Sequence, residues 1–173
     1  LRNEYMRVDM SKYVTVEEMR ALEANSDFFG VSFGELMENA GRKAAETIIA
    51  RYKQCKVLVV CGTGNNGGDG LVVARLMAQA GYHTMVVLLG RAGNIAPGPA
   101  LVNLEIIRGM DIPVLEADFP DKVPRPAFET NDLIIDAILG TGFTGIPGEP
   151  ARTAIRYINE SRAHKVSLDL PSG

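Results

Sequence analysis

The chain has 173 residues, of which 46% are hydrophobic and 23% are charged, and its net charge is -3. This composition is that of an ordinary globular domain and excludes a disordered or collagen-like chain, while the small negative charge argues against a nucleic-acid partner. Its apolar runs, such as 57–60, fall well short of the ~20 residues that a membrane helix needs. With two cysteines and two separated histidines, the sequence predicts neither a disulfide scaffold nor a zinc site. We expect one soluble, cytoplasmic domain over residues 1–173.

The first predicted elements are two helices that follow an irregular start at 1–12. Thr15 and Glu18 have the spacing of a capping box, which predicts a helix that ends near residue 25. Ser32 and Glu35 repeat the signal for a second helix. In this second helix an apolar residue recurs at every fourth position, which predicts one stripe facing the core. The members of the stripe are Leu36, Ala40, Ala44 and Ile48.

From residue 56 onward, predicted strands alternate with predicted helices. The strands are 57–61, 84–89, 112–115, 132–139 and 166–170, and the helices are 71–80, a segment within 97–109, and 151–161. Continuous apolar strands are typical of a parallel sheet that is covered on both faces. The alternation therefore predicts an α/β protein with a Rossmann-like three-layer fold, in which a mainly parallel sheet has helices on both faces and N-terminal helices precede it.

A glycine-rich loop is predicted between the first strand and the next helix, over Gly62–Gly70. Its five glycines allow close approach to the backbone, and the following helix start would suit a phosphate. The loop matches G-x-G-x-x-G at Gly62, Gly64 and Gly67, but a dinucleotide fingerprint also expects an acid about 20 residues later. The second strand ends at 88–91 without one, which argues against a conventional NAD(P)-dependent dehydrogenase. The alternative interpretation of this loop is a tight turn that requires glycine and binds no ligand.

Two further strand ends carry unusual sequence. Gly140–Gly145 repeats the glycine pattern, although Gly-Thr-Gly also forms ordinary turns. Asp136 lies inside the apolar run 133–139, where its charge requires a cation, hydrogen-bond donors or exposure. Asp169 lies just past the last strand. Because ligands of open α/β sheets bind outside the carboxyl ends of the strands, these acids predict an active site there.

Four short segments carry a family resemblance. They are LMENAG at 36–41, NNGGDG at 65–70, Asp136 with GTG at 140–142, and DLPSG at 169–173. In order and spacing they resemble the signatures of the NAD(P)H-hydrate epimerase (YjeF N-terminal) family, over the chain from about residue 13 to its end. The resemblance implies a Rossmann-like domain that interconverts the two epimers of hydrated NADH or NADPH, in which the reduced nicotinamide ring carries a hydroxyl.

The resemblance also implies site residues and a potassium ion. The implied ion ligands are Asn66, Asp136 and Ser172, whose hard oxygen donors suit a hard cation. Asp169 would lie at the reacting ring, and we predict that it is the main acid–base group. The implied substrate-binding residues are Asn65, Asn66, Gly67, Gly68, Asp69, Gly140, Thr141, Gly142, Phe143, Thr144, Gly145, Ile146 and Asp169.

Two alternatives and one departure from the family stay open at this point. The alternatives are a non-catalytic nucleotide-binding scaffold or sensor and, less favoured, a dehydrogenase. The departure is that the chain stops at Gly173, directly after the last motif, whereas family domains usually continue with further strands. We therefore expect a fragment, or the amino-terminal part of a longer protein, with a dehydratase as fused or separate partner. A homo-oligomer is compatible with the sequence.

Overall fold

The computed structural model describes residues 14–173, without the side chains of residues 20 and 27, so the irregular start expected at 1–12 lies outside the described residues. Helices α1 (Val16–Ser26) and α2 (Phe33–Arg51) come first. Both predicted capping boxes are confirmed. The Glu18 N–H donates to Thr15 Oγ1 at 3.1 Å and the Thr15 N–H donates to the Glu18 carboxylate at 2.7 Å. Ser32 and Glu35 form the same two hydrogen bonds at the start of α2. Each helix start thus satisfies backbone N–H groups that have no partner within the helix.

A five-stranded, fully parallel sheet follows and confirms the predicted fold class. Its strands are β1 (Lys56–Cys61), β2 (His83–Leu88), β3 (Val114–Glu116), β4 (Leu133–Ala137) and β5 (His164–Ser167), in the order β3-β2-β1-β4-β5. The connecting helices are α3 (Asn65–Gln79), α4 (Pro99–Arg108), α5 (Arg125–Thr130) and α6 (Ala151–Glu160). Helix α5, a short segment that begins beside two prolines, was not predicted.

The core consists of two apolar layers, one on each face of the sheet. Val57 and Val59 point into the layer formed with α2, α3 and α4, whereas Leu58 and Val60 point into the layer formed with α5 and α6. All four side chains are fully buried. This double coverage is the reason that β1 reads as an unbroken apolar run and not as an alternating pattern.

The predicted glycine loop is shorter than expected, because α3 begins at Asn65 and not at 71. Gly67, Gly68 and Gly70 therefore lie inside the first turns of this helix and are buried. A Cβ at Gly67 would stand 1.9 Å from the Gly62 carbonyl oxygen, and one at Gly70 would stand 2.5 Å from the Ala137 side chain. These glycines allow α3 to lie directly against the ends of β1 and β4, a reason for glycine that needs no ligand.

The predicted apolar stripe of α2 is wrong by about one position. Ile48 is buried as expected, but the other buried residues of the helix are Met37, Gly41 and Ala45. At Gly41 a Cβ would stand 2.5 Å from the Val72 side chain, so the small residue at this position lets the buried face of α2 pack closely on α3. Among the described residues, no helix combines the length and apolarity needed to cross a bilayer.

Candidate functional site

A cavity of about 1330 Å³ opens at the carboxyl ends of β1, β4 and β5. From β1 the chain adds β2 and β3 on one side of the sheet and then crosses to add β4 and β5 on the other side of β1. The strand order therefore reverses between β1 and β4. Ligands of open α/β proteins bind at such a switch point. The cavity is lined by residues of all three predicted strand-end motifs, including Asn66, Gly140 and Asp169. The three motifs therefore form one site.

Asp136 is only 4% exposed, and hydrogen-bond donors surround its carboxylate. Oδ1 accepts the Ser172 hydroxyl at 2.7 Å and the Ile138 N–H at 3.2 Å, while Oδ2 accepts the Ser172 N–H at 2.8 Å. The Ser167 hydroxyl lies at 3.4 Å. Of the compensations that the sequence left open, the structure supplies hydrogen-bond donors, which offset much of the cost of burying this carboxylate.

Asn66 lies beside this network and is joined to it through Leu139. Its Nδ2 donates to the Leu139 carbonyl at 2.9 Å, and the Leu139 N–H donates to the Ser172 hydroxyl oxygen at 3.1 Å. The Oδ1 atom of Asn66 is buried and has no hydrogen-bond partner within residues 14–173. An unpaired buried amide oxygen is costly. The three residues predicted to hold an ion are thus neighbours, and one of their oxygens lacks a partner.

Asp169 follows β5 in a left-handed backbone conformation, with φ at 65°. Few residues other than glycine adopt this conformation, and its cost at a cavity often accompanies function. Its Oδ2 accepts the Thr141 N–H at 2.6 Å, and a Cβ on Gly140 would stand 2.6 Å from the same oxygen. Glycine at 140 therefore lets the loop between β4 and α6 (138–150, the second loop) close onto Asp169, which fixes the carboxylate at the cavity wall.

Asp69 is the acid of the cavity whose pKa departs most from its ordinary value. It lies on α3 one turn after Asn66 and lines the cavity on the same side. Burial, and to a smaller extent the nearby charges of Asp169 and Glu23, raise the pKa of the Asp69 carboxyl to about 7. A carboxyl group with a pKa near neutrality can exchange protons under physiological conditions.

The remaining predicted substrate residues divide into three groups. Asn65, Thr141, Gly142 and Phe143 line the cavity. Gly67 and Gly68 are buried behind it, so only their backbone could reach a ligand. Thr144, Gly145 and Ile146 continue the exposed second loop without lining the cavity, and Ile146 is 84% exposed. The substrate-binding role of all these residues stays a prediction.

Helices α1 and α2 contribute a second wall of the cavity, which was not predicted from the sequence. Glu23 of α1 and Lys43 of α2 line the cavity, together with Leu36 and Ala40 from the stripe that was expected in the core. Among the lining residues that the structure describes, Lys43 is the only lysine or arginine. The regular spacing of Leu36 and Ala40 was a usable signal, but the periodicity alone does not say which of two adjacent stripes faces the core.

Comparison with known proteins gives a family match. Residues 34–173 match the family described as YjeF-related protein N-terminus. The chain is 39% identical over 162 residues to an NAD(P)H-hydrate epimerase from Cenarchaeum symbiosum, which covers 92% of this chain and 74% of that protein. It is 42% identical to the bifunctional NAD(P)H-hydrate repair enzyme Nnr of Methanopyrus kandleri, over 93% of this chain and 33% of that protein. The chain spans about a third of the length of such bifunctional relatives.

A solved structure shares the fold. The crystal structure of yeast ynu0, YNL200c, superposes with a TM-score of 0.78 at 26% identity, covering 93% of this chain and 71% of that chain.

Proposed function

The chain belongs to the family of YjeF-related protein N-terminal domains, and on this premise we propose that it interconverts the R and S epimers of hydrated NADH and NADPH. The observation that carries the proposal is the convergence of the three strand-end motifs on one cavity, with the Asp169 carboxylate fixed at its wall by the Thr141 N–H. Relatives whose names state this activity cover most of the chain. The proposed activity is that of an isomerase.

The cavity supports a dinucleotide-sized substrate. Its volume of about 1330 Å³ exceeds the range of ~300–1,000 Å³ that is common for small-molecule pockets. The N-cap of α3 is Gly64, which offers no side-chain cap, so the first N–H groups of this helix remain available to a phosphate. We propose that the phosphates bind at this helix start, next to Asn65, and that Gly140–Ile146 contacts the rest of the substrate.

Asp169 is proposed as an acid–base group of the reaction. Exchange of the two epimers requires the bond between the ring carbon and its hydroxyl to break and to form again on the other face. Proton transfer assists both steps, because the hydroxyl leaves more readily as water and water adds more readily when it loses a proton. With Oδ2 held by Thr141, the carboxylate has a fixed orientation and its Oδ1 is left for a substrate or a water molecule.

A potassium ion is proposed at Asn66, Asp136 and Ser172. The unpartnered buried Oδ1 of Asn66 fits this assignment, since a cation would satisfy it. The carboxylate, hydroxyl and amide oxygens of the three side chains are hard donors, which suit an alkali cation better than zinc or copper. When bound, the ion would supply a positive charge near the anionic substrate, and the three residues would hold it by joining the ends of β1, β4 and β5.

The test is the equilibration of separated epimers of hydrated NADH, followed by chromatography with and without the protein. We expect the wild type to accelerate epimerisation and Asp169→Asn to lose about 10²–10⁴-fold in rate while it still binds the substrate. Asp132→Asn, which changes an exposed acid at the opposite end of β4, is the matched control and should keep the wild-type rate. A protein that binds without any acceleration would be a scaffold, and turnover of intact NADH with a carbonyl compound would indicate a dehydrogenase.

A dehydratase partner is proposed for the longer protein or for a separate chain. Bifunctional names among relatives that are about three times as long support a second activity next to this domain.

A further inference from the structure

Asp69 and Asp169 approach the same cavity from two different elements. Asp69 lies on α3, three residues after Asn66, and this spacing places both side chains on one face of the helix. Asp169 follows β5. Gly140 marks where the two elements meet, because a Cβ there would stand 2.6 Å from Asp169 Oδ2 and 3.3 Å from Asn66 Cβ. The cavity is therefore flanked by two carboxyl groups.

The surroundings of the two carboxyl groups differ. Asp169 is exposed and accepts the Thr141 N–H, so its Oδ2 acts as an acceptor. Asp69 is half-buried, and none of the side chains that the structure describes donates a hydrogen bond that would hold it in the charged form. Burial, Asp169 and Glu23 together raise the pKa of Asp69 to about 7. When their environments give two carboxyl groups different pKa values, the group with the higher pKa commonly acts as the acid and the other as the base.

The charged side chains that line the cavity around Asp69 are mostly acidic among the residues that the structure describes. Glu23 of α1, Glu149 of the second loop and Asp169 line the cavity with it, and Lys43 of α2 is the one cation among the lining residues that the structure describes. Lys43 is itself paired with Glu46 at 3.7 Å. Arg75, which lies on α3 with Asp69, forms a salt bridge with Glu38 of α2. The excess of acids favours retention of a proton on Asp69.

We propose that Asp69 is a second catalytic residue, which donates the proton to the departing hydroxyl, while Asp169 takes the proton from the water that returns. This assignment rests on the proposed function. The Asp69 carboxyl protonates the hydroxyl, the bond between carbon and oxygen breaks with its electron pair leaving on water, and the ring nitrogen lone pair forms a carbon–nitrogen double bond. Water then adds to the opposite face, the double-bond electrons return to nitrogen, and the water proton passes to Asp169. Exchange with solvent water returns the proton to Asp69.

The experiment is a pH profile of the epimerisation rate for the wild type and for Asp69→Asn. The wild-type rate should fall as the pH rises through about 7, because Asp69 loses its proton there. Asp69→Asn should lose about 10²–10⁴-fold in rate and lose this pH dependence, with substrate binding retained in calorimetry. Asp69→Glu should restore part of the rate. Epimerisation in H₂¹⁸O should place ¹⁸O in the hydroxyl.

A second variant separates the proton-donor role from a merely structural one. Glu23→Gln removes a charge that raises the pKa of Asp69, so the midpoint of the profile should move to lower pH. The control is Glu105→Gln, at an exposed glutamate of α4 outside the cavity, which should leave the midpoint unchanged.

The outcomes separate this assignment from the proposed function. A wild type without any acceleration would contradict the proposed function itself. An active wild type with an equally active Asp69→Asn, or a midpoint that does not respond to Glu23→Gln, would overturn only the role of Asp69 and leave the epimerase proposal in place. A product without ¹⁸O would contradict cleavage of the carbon–oxygen bond, and with it the steps assigned to both Asp69 and Asp169, while the epimerase activity itself would stand.

Discussion

The carboxylate of Asp136 offers a prediction whose size can be worked out from the structure. Asp136→Ala removes the acceptor of three hydrogen bonds of 3.2 Å or less, donated by the Ser172 hydroxyl, the Ser172 N–H and the Ile138 N–H. The hydroxyl can rotate to another partner, but the two backbone N–H groups stay in place. Leaving a buried donor unsatisfied costs about 1–3 kcal/mol, so we expect a loss of about 2–6 kcal/mol in the free energy of unfolding.

The assay is urea unfolding in potassium chloride and in tetramethylammonium chloride at equal ionic strength. The hydrogen-bond loss should appear in both salts. If potassium binds at Asp136, the wild type should in addition be more stable in potassium, by ~2.7 kcal/mol at a hundredfold excess over Kd, and Asp136→Ala should lack this increment. Asp136→Asn, which keeps one acceptor oxygen, provides a milder variant if the alanine variant does not fold.

Asp132→Ala is the matched control for this experiment. Asp132 flanks the other end of β4, is exposed, and accepts a single hydrogen bond from the Lys56 N–H at 3.0 Å. Its loss should cost about 1 kcal/mol and leave the potassium increment intact. Two results would refute the reasoning: equal destabilisation by both alanine variants would contradict the hydrogen-bond account of Asp136, and equal wild-type stability in the two salts would contradict the ion site.

Two further predictions concern packing. Gly67→Ala should destabilise the protein by about 1–3 kcal/mol despite the higher helix propensity of alanine, because its Cβ would meet the Gly62 carbonyl oxygen at 1.9 Å. Gly64→Ala, whose Cβ would meet nothing within 4 Å, is the control in thermal unfolding, and equal melting temperatures of the two variants would contradict this account. Iodoacetamide should alkylate half-buried Cys55 in the native protein but spare Cys61, because Cys61 is fully buried and burial raises the pKa of its thiol. The labelled peptides are identified by mass spectrometry, and labelling of Cys61 before unfolding would argue against a tightly packed β1.

Local signals in the sequence were sufficient to predict most elements of the fold, although not the short helix α5. The capping boxes at Thr15 and Ser32 depend on contacts three residues apart, and the strand runs report coverage of both faces, so each is visible without knowledge of the tertiary structure. The three strand-end motifs predicted one site for a similar reason, because parallel strands bring their carboxyl ends to one edge of the sheet.

The tertiary structure alone decided how those residues are used. Donors from Ser172, which is 36 residues away in the chain, surround Asp136, and the glycines after Asn65 pack inside α3 where an open loop was expected. Neither the wall formed by α1 and α2 nor the raised pKa of Asp69 follows from a local pattern. Burial and long-range contacts depend on which surfaces meet, and a sequence pattern specifies the surface of an element without specifying its neighbour.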